Sequence, residues 1–98
     1  MRVTILGKRW TLRFVRMPGH WGRVDPPHAH NKEMHIHPRH PTDGELLDTI
    51  LHESLHCALP EWKEESVEQL ASDLTRILKR FGYRIPEPAD DDDERDSE

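Results

Sequence analysis

Thr42-Asp43-Gly44-Glu45-Leu46-Leu47-Asp48-Thr49-Ile50-Leu51-His52-Glu53-Ser54-Leu55-His56 is the stretch on which the fold turns. It opens with a capping box, Thr42 at the N-cap and Glu45 three residues on. Leu46, Leu47, Ile50, Leu51 and Leu55 follow at helical spacing and cluster on one face. Glu45, Thr49, His52 and His56 fall on the opposite face. The spacing predicts a helix that ends near Leu59-Pro60.

Downstream, Val67, Leu70, Ala71, Leu74, Ile77, Leu78 and Phe81 form a second apolar stripe, which predicts a helix over about 61–81. Gly82 suits the position just past its end, and Lys79 and Arg80 suit the negative end of its dipole. Upstream, Val3 and Ile5, then Trp10, Leu12 and Phe14, alternate with polar residues. Period two predicts half-buried strands, and Gly7-Lys8-Arg9 between them predicts a hairpin over about 2–16. Pro18-Gly19 ends it, and residues 18–31 read as a loop. Glu33–Pro38 is a short strand centred on Ile36, stopped by Pro38 and Pro41. These elements predict an α+β fold, a small antiparallel sheet (the hairpin plus one short strand) packed on two helices.

Ninety-eight residues bound the chain to one small domain. A chain of this size buries only about 65% of the surface that its unfolded form exposes. Its core is thin, so a bound metal would contribute usefully to stability. The single cysteine, Cys57, excludes an internal disulfide and suits a reducing cytoplasm. It reads as a small, partly buried residue and not as a nucleophile. No segment has the roughly 20 apolar residues of a membrane span, and the N-terminus does not read as a signal peptide. The expected location is cytoplasmic.

The net charge of −5 conceals an asymmetry. Residues 87–98 carry eight acids and one Arg, for −7, and read as a disordered acidic tail beyond a domain over 1–86. Residues 1–42 carry eight Lys and Arg against Asp25 and Glu33, for +6. A basic front raises the alternative of a nucleic-acid partner. Against it, the basic residues are interspersed with core positions and no nucleic-acid motif is present.

His52 and His56, four apart on a helix, can bind one metal ion between them. Glu53 is then placed as a general base. A catalytic zinc usually takes three protein ligands. The second helix offers Glu61, Glu64, Glu65 and Glu68. At 100° per residue, Glu64 lies about 80° from the centre of the apolar stripe, Glu68 about 120° and Glu65 about 180°. Glu64, at the border of the buried face, is the best-placed third ligand. Glu65 and Glu68 are reserves, more readily explained as solvated charges.

His52-Glu53-Ser54-Leu55-His56, followed by a Glu-rich helix start, resembles the gluzincin metallopeptidases. Glu64-Glu65-Ser66-Val67-Glu68-Gln69-Leu70-Ala71 is similar to the E-x-x-A-N-x-F-A stretch of the ImmA/IrrE-like peptidases. In that stretch the leading Glu is the third ligand, which corresponds to Glu64. Val67, Glu68 and Leu70 depart from the family's Ala, Asn and Phe. Trp21-Gly22-x-x-Asp25-Pro26, the zinc helix and a Gly-Tyr-Arg end resemble small phage-encoded proteins assigned as metallopeptidases, over roughly residues 3–85. The resemblance implies a zincin-like fold, zinc as cofactor, a protein or peptide substrate, Glu53 as general base and, for a phage protein, the host cytoplasm. Tyr83 is a candidate oxyanion donor. The strand near 33–38 is expected to border the cleft and accept an extended peptide.

Three further features have simpler readings. His28, His30, His35, His37 and His40 could form a second metal site, but a polar loop and an exposed strand face explain them as well. Trp10, Trp21 and Trp62 read as core or cleft wall. The acidic tail reads as solvated, with occlusion of the site by docking on the basic front as its alternative role. The rival to a peptidase is a non-catalytic, zinc-stabilised module that binds a protein. The residues leave the oligomeric state open.

Overall fold

The computed structural model describes residues 1–90. Their fold is α+β, with a four-stranded mixed sheet and two helices. The strands are β1 (Arg2–Ile5), β2 (Lys8–Phe14), β3 (Gly22–Val24) and β4 (Glu33–Ile36). The helices are α1 (Asp43–Ala58) and α2 (Glu64–Arg80). The order across the sheet is β1-β2-β4-β3.

The hairpin forms as expected, but its turn is Leu6-Gly7 and the strand already resumes at Lys8. Both turn residues have positive φ, 48° and 76°, as in a type I′ turn. The expectation of an antiparallel sheet is corrected at β4, which pairs with β2 in parallel. The cause is β3, which lies inside the stretch read as a loop. The chain reverses once after β2 and again after β3, so β4 returns in the direction of β2 and inserts between the two. Asp25 closes the second reversal, its carboxylate accepting from the Glu33 amide at 2.9 Å. Three residues beginning with glycine are too short for period two to register.

Alternation sorts the sheet cleanly. Trp10, Leu12, Met34 and Ile36 are buried in the core with Leu46 and Cys57. The strand residues between them carry the polar side chains.

The capping box forms. Thr42 Oγ1 accepts from the Glu45 amide at 3.1 Å and donates to the Glu45 carboxylate at 3.1 Å. α1 alone of the two helices contacts the sheet, and α2 packs on α1. This corrects the expectation of a sheet packed on both helices. The α2 stripe is correspondingly narrower than predicted. Val67, Ala71 and Thr75 are buried, whereas Ile77 and Phe81 are 51% and 78% exposed. Thr75 satisfies its hydroxyl on the Ala71 carbonyl at 2.8 Å. The helices run antiparallel, and Lys79 near the end of α2 bonds Asp43 at the start of α1 at 3.2 Å. That ammonium, with Arg84 beyond it, holds the Asp43 carboxyl below the usual range.

α2 begins at Glu64, three residues later than predicted, because Pro60-Glu61-Trp62 forms the tight link from α1. Of the stretch read as a tail, residues 87–90 have no regular secondary structure. Arg39 bonds the Pro88 carbonyl at 2.9 Å and Arg16 pairs with Asp90 at 2.6 Å. Residues 91–98 lie outside the described residues. No helix among the described residues is long and apolar enough to cross a membrane.

Leu6 is exposed and sits in the left-handed region, which costs a non-glycine residue about 1–2 kcal/mol. Asn tolerates that conformation. Leu6→Asn is expected to stabilise the fold by about 1 kcal/mol, raising Tm by about 4–8 °C. A thermal melt with an unchanged or lower Tm would contradict this account of the turn.

Candidate metal centre and cleft

His52 and His56 lie on the side of α1 that faces neither the sheet nor the α1–α2 seam squarely. Their side chains are about one-fifth exposed. One turn of helix brings the rings to 4.7 Å between centroids. Glu64, the first residue of α2, reaches back across the interhelical groove. Its Oε1 lies 2.8 Å from His52 Nε2 and its Oε2 lies 2.9 Å from His56 Nε2. The two Nε2 atoms are 3.0 Å apart. These three side chains are the one group of three or more metal-type donors that converge within 4.8 Å among the described residues.

The donor set fits a cation better than it fits itself. If both imidazoles place a proton on Nε2 to bond Glu64, two N–H groups face each other at 3.0 Å. If one Nε2 is bare, its lone pair faces the carboxylate. A single cation satisfies all three donors at once. Two donors on a tetrahedral zinc stand about 3.3 Å apart, given Zn–N distances of about 2.0–2.1 Å. Shifts of a few tenths of an ångström would admit the ion.

Glu53 points from the same helix toward the sheet and is 8% exposed. It has room only because position 22 is glycine. A Cβ there would come within 2.8 Å of Glu53 Cγ and Oε2 and 3.0 Å of Thr49 Cγ2. Burial raises the Glu53 pKa above the ordinary carboxylate value, against the opposing influence of His52 and His56. Cys57, one turn on, is buried in the core, and its thiol is pushed up to about 12 by burial and then by Glu53. It is an inert packing residue, as its sequence context suggested.

The trio and Glu53 line a cavity of about 640 Å³ with Trp21, Gly22, Asp48, Thr49 and Glu68. Thr49 shares the helical face of His52 and His56, as the sequence indicated. Its Oγ1 lies 2.9 Å from His40 Nε2. His40 in turn stacks on Trp21 at 4.7 Å, and burial followed by His37 lowers its pKa. Asp48 falls one turn before His52, a contribution that the apolar pattern gave no reason to single out. Gly22 reaches the cavity as the first residue of β3, a strand that sequence reasoning missed, and Trp21, read as core or cleft wall, precedes it.

The reserve ligands separate. Glu68 lines the cavity without joining the trio, and Glu65 lines a different hollow with Trp62. Tyr83 follows the far end of α2, about 25 Å along that helix, is 62% exposed and does not line the cavity. The histidine-rich stretch brings no second metal-type group together among the described residues. His35 instead bonds Glu33 at 2.7 Å and Arg23 at 3.3 Å on the outer sheet face. The strand that borders the cleft is β3, not β4, because β2 and β4's other neighbour, β3, occupy both edges of β4.

Comparison with known proteins gives no family model, no curated protein and no solved structure that matches the chain.

The raised Glu53 pKa has a sign that can be checked. Its folded value lies above its unfolded value, so the stability it contributes is present below about pH 4.3 and is lost as pH rises through the folded value. Metal-free Glu53→Gln is therefore expected to be more stable than wild type at neutral pH, with the difference vanishing near pH 4. Urea titrations in chelator at both pH values measure it. An equal difference at both would contradict the burial argument.

Proposed function

We propose that the protein is a zinc-dependent peptidase, its zinc held by His52, His56 and Glu64. The observation that carries this reading is the convergence of those three donors beside a buried carboxylate, Glu53, in one cavity. A bound zinc lowers the pKa of a coordinated water toward about 7 and polarises a substrate carbonyl.

The chain's own residues supply the remainder. Glu53 accepts the proton of the attacking water as the new C–O bond forms. It returns that proton to the amine as the C–N bond breaks. Its burial keeps it a better proton carrier near neutral pH than an exposed carboxylate. Gly22 admits it, and Trp21 walls the cavity. β3 is hydrogen-bonded on one side only, to β4, so an extended peptide could align along its other edge.

The cavity wall also suggests a substrate class. Among the described residues, Asp48, Glu53, Glu64 and Glu68 line it and no Lys or Arg does. Because the helices are antiparallel, Asp48 and Glu68 both lie one turn, about 5.4 Å, from the trio on the side away from the interhelical link. That placement favours a peptide carrying a Lys or Arg side chain beside the cleaved bond.

Two measurements test the reading. Zinc titration by calorimetry should give one site, which Glu64→Ala weakens by at least tenfold. Glu53→Gln should keep that site and abolish hydrolysis of a mixed peptide library. A wild type that binds zinc yet cleaves nothing would favour a zinc-stabilised binding module. Among cleaved peptides, Arg should exceed citrulline in kcat/KM by about tenfold, or 1.4 kcal/mol. The combined Asp48→Asn and Glu68→Gln variant should erase that preference, and its persistence would contradict the assignment of the acidic wall.

A further inference from the structure

The basic residues of the N-terminal half look scattered in sequence, but the fold sorts them. Arg9 and Arg13 alternate with the buried Trp10 and Leu12 along β2, so they stand on the side of the sheet away from α1. Arg2 of β1 sits opposite Thr11, midway between them, and Arg23 of β3 sits opposite His35. Four arginines therefore share the outer face. The one acid among these strand residues is Glu33, which is engaged by Arg13 at 3.9 Å and His35 at 2.7 Å.

Where β2 and β4 begin, this face runs into a hollow of about 230 Å³. Arg2, Arg9, Trp10, Thr11, Asn31 and Lys32 line it. Every polar side chain among them can donate a hydrogen bond, and none is acidic. Trp10 is 2% exposed, and its indole Nε1–H has no hydrogen-bond partner. A buried donor left unpaired costs about 1–3 kcal/mol. Lys32 lies 5.9 Å from the same ring. The hollow is thus lined by three cations and no acid, with an unpartnered indole donor on one of its lining residues.

We propose that this hollow and the arginine face beside it bind the phosphate backbone of a nucleic acid. One phosphate would occupy the hollow, held by Arg2, Arg9 and Lys32. The neighbouring phosphates would run toward Arg13 and Arg23. Guanidinium groups suit phosphate oxygens, which they can bond in pairs. His35, bonded to Glu33, is the one aromatic ring among the outward strand residues, so bases have no Phe, Tyr or Trp platform to stack on. Binding is therefore independent of base sequence and strongly dependent on salt. The outward strand residues include no large apolar side chain to enter a bilayer, which disfavours a membrane as the source of the phosphate. This surface lies on the side of the sheet opposite α1 and does not depend on the peptidase reading.

Fluorescence anisotropy of the full chain with labelled random-sequence DNA and RNA, titrated from low to physiological salt, tests the proposal. The expected result is an affinity similar for different sequences, with log K falling linearly against log salt. The Arg2→Gln, Arg9→Gln, Lys32→Gln triple variant should bind at least tenfold more weakly, with the slope reduced by about one per cation removed. Arg9→Gln alone, at an exposed position, should lower affinity and slope in the same direction if the triple variant fails to fold. No binding at low salt overturns the proposal. So does binding that these variants leave unchanged, or binding to anionic vesicles without binding to nucleic acid.

Discussion

One helix has to serve three surfaces, and the rest of the molecule is arranged around that demand. α1 presents Leu46 and Cys57 to the sheet, packs on α2 along a second side and leaves His52 and His56 on a third. In a chain this short there is no second layer to bury a polar face. The third side therefore becomes the wall of a cleft. Among the described helices and strands α2 packs on α1 alone, and its first residue, Glu64, reaches the two imidazoles across the groove. The three donors are thus contributed by two elements that pack on each other, α1 being the one described helix or strand that α2 contacts. In the proposed zinc-loaded form, the ion would tie α2 to α1 at the end nearest the link, while Lys79 and Asp43 tie them at the other.

Glu53 shows how tightly the site and the core are joined. It lies on the sheet side of α1, in register with Cys57, where an apolar residue would ordinarily sit. β3 accommodates it by carrying glycine at position 22. The carboxylate is consequently desolvated and its pKa raised. A buried acid costs stability, and its place beside three convergent metal donors is the one that the proposed general-base role requires. The charge distribution has a similar logic. Acidic groups line the cleft, whereas the arginines of the N-terminal strands are gathered on the far face of the sheet.

Much of this could be read from the residues, for identifiable reasons. The capping box at Thr42 and the i, i+4 spacing of His52 and His56 are local, and local geometry decides them. Glu64 was reachable because helical periodicity placed it at the border of the α2 stripe, even though the helix starts three residues later than the stripe suggested. What could not be read was non-local. Alternation along β2 and β4 says which side chains face inward but not which direction the partner strand runs, so the parallel pairing was missed. β3 is three residues long with one strongly strand-forming residue, Val24, and left no periodic signal. With it went Gly22 as a cleft residue, whereas Trp21 was read as core or cleft wall. Ile77 and Phe81 matched the α2 pattern, yet they are exposed because a helix with a single neighbour buries a narrower seam.

The central claim is that a metal is held by two imidazoles and one carboxylate across the α1–α2 groove. X-ray absorption spectroscopy at the zinc edge, on protein loaded with one equivalent of zinc, addresses it most directly. The account predicts two imidazole shells and oxygen or nitrogen ligands at about 2.0–2.1 Å, with no sulfur. A zinc–sulfur distance of about 2.3 Å, which would implicate Cys57, or a fully hydrated ion without imidazole scattering would contradict it.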